Sequence, residues 1–177
     1  MTGPLLQLGG VDTPPAQPVL LAKGFRPFFL LAAADATVAM LVWMLALNGK
    51  VDLGIYFGGT YWHAHEMIFG FAVAVIAGFL LTAVGNWTGR ETAVGGALAG
   101  LVGLWLVGRV AVLLASALPR PLAAVLDLAF LPALAVACAR PILTTTNQRN
   151  YQFVAMLAAL TGRETARARG DVKAKRG

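Results

Sequence analysis

The chain has 177 residues, 58% of them hydrophobic and 12% charged, against roughly 25% charged residues in soluble domains. With a mean hydropathy of +0.73 it is excluded from the small water-soluble domains, which lack the polar surface to cover so many apolar side chains. Nor does the formal charge of +6 mark a nucleic-acid module, because much of it sits in a basic tail with no aromatic or folded recognition element beside it.

In chain order, residues 1–22 read as an N-terminal segment. It contains Pro4, Pro14 and Pro15 and lacks the basic start and apolar core of a signal peptide. Residues 23–160 read as a transmembrane helical domain. A hydrocarbon core of about 30 Å takes about 20 mostly apolar residues in a helix, and four stretches qualify. The first span covers residues 28–47. The second covers 65–84, with Tyr61 and Trp62 before it and Trp87 after it as interfacial anchors. The third covers 94–118 and the fourth 121–139. An apolar stub at 153–160 stops at Thr161, too short to cross. Residues 161–177 form a tail in which Arg163, Arg167, Arg169, Lys173, Lys175 and Arg176 outnumber Glu164 and Asp171, read as disordered and close to an anionic leaflet. The predicted fold class is all-α, a multi-pass transmembrane helical bundle of four spans plus a short fifth stub.

Lys23, Arg26, Arg90, Arg140 and Arg149 fall on one side, against Lys50 and Arg120 on the other. The excess of positive charge predicts a cytoplasmic N-terminus and places His63 near the outer face. The single cysteine, Cys138, excludes an intrachain disulfide, and no CxxCH motif supports covalent haem attachment. The hexapeptide Thr-Gly-Arg-Glu-Thr-Ala occurs at residues 88–93 and again at 161–166, a repetition for which the sequence offers no physical reason.

Arg109 lies inside the third span and Asp127 inside the fourth. A charge near the bilayer centre costs about 2.5–3.5 kcal/mol on insertion scales, so each needs a partner. Arg109 stands nine residues before Leu118, and Asp127 six after Pro121. These are depths of roughly 13 Å and 9 Å below the same surface, and an ion pair joining the hairpin is expected. The functional alternative makes Arg109 the counter-ion of a haem propionate or an anionic substrate. Asp35, seven residues into the first span from the opposite side, is expected level with neither charge. Its expected company is Arg26, reaching back along the helix, or Thr82 and Asn86.

Both histidines of the chain lie in Trp62-His63-Ala64-His65-Glu66-Met67. On a helix, His63, Met67, Gly70, Ala74, Ala77, Gly78 and Leu81 share one face, nearly all small below the methionine, open to another backbone or to a porphyrin edge. His63 and His65 are about 200° apart, so they serve one metal only if the helix end uncoils and otherwise belong to two sites. Imidazole nitrogen suits iron, copper and zinc, and a thioether suits Cu(I) and haem iron. Glu66 would fix a histidine tautomer from behind. The order His-x-His-Glu is not the zinc-protease signature.

Three separated motifs carry a family likeness: Lys23-Gly24-Phe25-Arg26-Pro27-Phe28-Phe29-Leu30, the histidine segment continued by Phe69-Gly70-Phe71, and Ala77-Gly78-Phe79-Leu80-Leu81-Thr82-Ala83-Val84 followed by Asn86-Trp87-Thr88-Gly89. The chain resembles the N-terminal portion of the NnrS family, in register from about residue 18 to residue 160. That resemblance implies a bacterial multi-pass protein of the cytoplasmic membrane that binds haem and copper and takes part in the response to nitric oxide and nitrosative stress. Family members resemble a longer chain of roughly a dozen spans, so ligands from later helices would be absent here. Besides the lipid bilayer, a homo-oligomer or the missing C-terminal helices are then the expected partners. Gly85 replaces a usual proline, and Gln148 a usual aromatic residue.

The expectation that follows is an integral membrane haem or copper protein. Its candidate metal set is His63, His65 and Glu66, and its cofactor set His63, His65, Met67, Arg26 and Arg109. No catalytic residue is assigned, because no nucleophile, base or redox motif is complete. The rival readings are a transporter or channel component with a polar path through Asp35, Arg109 and Asp127, and a truncated, non-functional product.

Overall fold

A computed structural model describes residues 18–53 and 58–145. The stub at 153–160, the basic tail and the second copy of the hexapeptide lie outside the described residues. Four helices long and apolar enough to cross a membrane follow one another: α1 (Phe25–Leu47), α2 (Gly58–Thr88), α3 (Gly95–Leu113) and α4 (Arg120–Leu143). Among the described residues there is no strand. The expected all-α bundle of four spans is therefore the observed one.

The helix ends differ from the sequence reading for local reasons. α2 starts at Gly58, seven residues before the predicted 65, so both histidines sit within a helix and not at a frayed mouth. It ends at Gly89, which takes a left-handed φ of 65°, the usual stop where a Cβ would clash. α3 stops at Leu113, and turns carry the chain through residues 114–118 to Pro119. α4 begins with Pro121 in its first turn and is interrupted at Ala129. Pro132, three residues on, has no N–H to give and its ring crowds the carbonyl four residues back, which locates the interruption.

Inside α2, residues Glu66–Ala72 wind as a π-helix between two α-helical pieces, Gly58–His65 and Val73–Thr88. The wider turn keeps Glu66 and Gly70, four residues apart, both buried. No hydropathy pattern signals such a segment, and wide turns of this kind recur at functional sites.

α1 and α2 run antiparallel in close register. Gly24 abuts Leu81, Gly78 abuts Phe25 and Phe29, Gly70 abuts Asp35, and Trp43 stacks on His63. The small-residue face of α2 is thus filled by α1, a helix neighbour and not a porphyrin edge. The fit at Gly24 leaves no slack, since a Cβ added there would lie 2.5 Å from the Leu81 Cβ, an atom that moves only with its backbone. Gly24→Ala is accordingly expected to cost about 1–3 kcal/mol as overpacking, and Leu81→Ala in the same chain should recover little of it, because alanine keeps the Cβ that clashes. Denaturant titration of the single and double variants in micelles checks this; equal stability of Gly24→Ala and wild type would refute the close approach.

Two apolar clusters stack along the bundle. The larger includes Phe28, Ala32, Ala74, Leu98, Trp105, Phe130 and Leu134. The smaller comprises Ala39, Trp62 and Val112, with Trp43 and Met67 packed against it. On each helix the residues between the two clusters are the ionisable ones: Asp35 on α1, Glu66 on α2 and Arg109 on α3, while Asp127 on α4 lies just beyond Phe130.

Candidate functional site

The polar layer centres on Arg109, whose side chain is 10% exposed. Its Nη1 donates to both oxygens of Glu66 at 3.1 Å, and its Nη2 to Asp127 Oδ1. Glu66 is 3% exposed, and a single guanidinium nitrogen bridges its two oxygens while the other arm of the fork serves Asp127. His65 closes the ring, with Nε2 3.0 Å from Asp127 Oδ2 and Nδ1 3.4 Å from Glu66 Oε1. Its imidazole also stacks on Phe69 at 4.7 Å, one turn along the same helix. The guanidinium lies over the Trp105 ring at 5.9 Å, where the ring face favours a cation.

The expected Arg109–Asp127 ion pair forms. Glu66 as a second partner lies outside the sequence reading, which places it in the metal set and behind a histidine ligand. Asp35 corrects the sequence reading. Its Oδ2 points at Gly70, beside Glu66 Oε2, and is buried without a hydrogen-bond partner among the described residues. Neither Arg26, which donates to Val19 O at 2.7 Å, nor Thr82, which donates to Gly78 O at 2.9 Å, reaches it. The register explains the error. Asp35 is eleven residues past Gly24, the level of Leu81, or about 16 Å into the membrane, so it borders the layer held by Arg109.

His63 goes elsewhere. Its ring lies flat against Trp43 of α1, centroids 4.2 Å apart and planes within 7°, in the smaller apolar cluster that Met67 also joins. Its Nδ1 is buried and has no partner among the described residues; the same holds for the indole Nε1 of Trp43 and of Trp62. The two histidines serve separate surroundings, as the helical angle requires when the segment stays coiled. Trp43 carried no signal in the sequence, since a tryptophan near a span end reads as an interfacial anchor.

Haem and copper can be weighed against these donors. Both ring nitrogens of His65 face carboxylates and Glu66 is held by Arg109, so neither offers an open ligand position. Among the described residues no three of His, Cys, Asp or Glu gather as a metal would need. Of the candidate ligands among the described residues, His63 presents a buried imidazole nitrogen without a partner, with the Met67 thioether in the cluster beside it. These residues suit a group that takes one imidazole, or one imidazole and one thioether. Arg26 stands seventeen residues before Trp43 on α1, about 26 Å away along the helix, and a group held at His63 does not reach it. Arg109 is one turn from Val112 of the His63 cluster, but its Nη groups are already engaged.

Apolar spans that bury a guanidinium between carboxylates, beside an apolar cluster with a buried imidazole nitrogen, define a polytopic helical membrane protein. The chain belongs to the NnrS family: the family model described as NnrS protein matches residues 19–173. No curated protein and no solved structure matches it.

Proposed function

We propose that this chain serves the response to nitric oxide and nitrosative stress as a haem- or copper-holding protein of a bacterial inner membrane, with its N-terminus in the cytoplasm. Family membership supports the role, and the excess of Lys and Arg on the N-terminal side supports the orientation. One structural observation carries the site: the buried, unpartnered Nδ1 of His63, stacked on Trp43 in the cluster that contains Met67. His63 would hold the group, and Met67 would add a soft donor suited to Cu(I) or haem iron. When bound, such a group supplies an electron-rich metal centre to which a small diatomic can coordinate. Trp43 orients the imidazole by stacking, and the apolar cluster keeps water from it. His65 and Glu66 act from the neighbouring layer by fixing the backbone that presents His63.

The test is metal and haem analysis of membrane-extracted protein. His63→Ala is expected to lose most of the bound copper or the Soret absorbance, whereas His65→Ala keeps the spectrum of whatever fraction folds. Full retention of both signals in His63→Ala would sink this assignment.

A transporter or channel reading is favoured by one observation, the Asp35 oxygen buried without a partner beside the Glu66–Arg109–Asp127 layer. In that reading the layer lines a polar path, and metal-free, colourless protein whose transport depends on Asp35 would select it.

A further inference from the structure

Two of the three sequence motifs take no part in the site above, and they meet at the other end of the bundle. Residues 23–25 at the start of α1, the last turns of α2 and the loop into α3 enclose a cavity of about 500 Å³. Its rim is built by the first copy of the hexapeptide. Thr88 Oγ1 donates to Val84 O at 2.7 Å and accepts from the Arg90 N–H at 3.4 Å. Gly89 makes the left-handed turn. Glu91 pairs with Lys23 at 2.7 Å, and Thr92 Oγ1 donates to Leu81 O at 2.6 Å, tying the loop to both helices.

A donor count gives the cavity its character. The Thr82 and Thr92 hydroxyl hydrogens are committed to backbone carbonyls. The one carboxylate on the wall, Glu91, is already paired with Lys23. What stays open is the Arg90 guanidinium, which makes no side-chain ion pair or hydrogen bond among the described residues, the Asn86 amide, and the spare N–H groups of Lys23. Charged donors exceed charged acceptors: Lys23 and Arg90 against Glu91. Gly85 keeps the wall thin, because a Cβ there would stand 3.3 Å from Arg90 O and press on the loop that carries the guanidinium. The cavity opens where α1 begins and α2 ends, at one end of the apolar spans.

We propose that this cavity binds a phosphate group through Arg90, assisted by Asn86 and Lys23, the phosphate being carried by an anionic phospholipid of the adjoining leaflet or arriving free from the aqueous side. The forked guanidinium matches phosphate oxygens two at a time, and a cavity of about 500 Å³ has room for a phosphate-bearing headgroup. The acyl chains of a lipid would lie along the apolar exterior of the bundle.

The experiment measures binding of three probes to the purified, delipidated full chain in micelles: a short-chain phosphatidylglycerol, a phosphatidylcholine of the same chain length, and inorganic phosphate. Phosphatidylglycerol is expected to bind saturably and at least tenfold more tightly than phosphatidylcholine. Arg90→Gln should weaken it by about tenfold or more, the scale of a lost charge-assisted bidentate contact, and Arg90→Lys by less. Asn86→Leu, which fills the mouth, should weaken it independently. Both side chains are exposed, so thermal stability without probe should stay unchanged. Competition by inorganic phosphate at equal affinity assigns the site to the free anion, and its failure to compete assigns it to the lipid. The proposal is overturned if no phosphate probe saturates the wild type, or if Arg90→Gln and Asn86→Leu both bind every probe as the wild type does.

Discussion

Arg109→Leu is expected to destabilise the bundle by about 3–5 kcal/mol, the usual cost of stripping one partner from a buried ion pair. Here one guanidinium serves two carboxylates: Glu66, whose side chain is 4% exposed, and Asp127, at 8%. Without it both acids face an apolar interior, and His65 is the one side-chain hydrogen-bond partner left to them among the described residues. Arg109→Lys should recover only part of the loss, because an ammonium cannot grip both Glu66 oxygens while also reaching Asp127. SDS or urea titration in micelles reads the difference. Wild-type resistance in Arg109→Leu would mean that the two carboxylates are held by something other than this guanidinium.

Phe28→Ala should cost about 3 kcal/mol, for a different reason. Phe28 is 0% exposed and leans on Phe130 of α4, ring centroids 5.6 Å apart at 46°. In a soluble protein such a truncation loses both transfer energy and packing, about 3–5 kcal/mol. In a bilayer the separated helices are still in hydrocarbon, so most of the transfer part disappears and the empty volume between α1, α2 and α4 remains. The value should therefore fall toward the lower end of that range. Phe28→Leu, which refills much of the space, should cost far less. The same titration checks both variants, and equal stability of Phe28→Ala and wild type would show that α1 and α4 do not meet through this ring.

Hydropathy made the four spans legible, because the requirement for a long apolar helix is one-dimensional. The Arg109–Asp127 pair was legible for a related reason: a short hairpin turn fixes both depths from one surface, so counting residues suffices. Asp35 was not, since its level depends on how far α2 extends above and below the bilayer, and α2 is 31 residues long where about 20 would cross. The site was readable only in its ingredients. The sequence segment 62–67 announced imidazoles, a carboxylate and a thioether, but a π-helical turn between Glu66 and Ala72 and the register against α1 decide which of them face one another. His65 and Glu66 went to Arg109 and Asp127, and His63 to Trp43. None of that follows from spacing along one helix.

The distribution of signs across the polar layer bears on how the chain enters its membrane. The α3–α4 hairpin holds a cation and an anion, Arg109 and Asp127, and is electrically self-sufficient during insertion. The α1–α2 hairpin instead holds two acids, Asp35 and Glu66, and the cation that answers Glu66 is supplied by α3. At about 2.5–3.5 kcal/mol for each uncompensated charge, the early hairpin is the costlier half to release into lipid alone. That cost falls once the third span supplies Arg109, so α3 compensates a hairpin of which it is not a part.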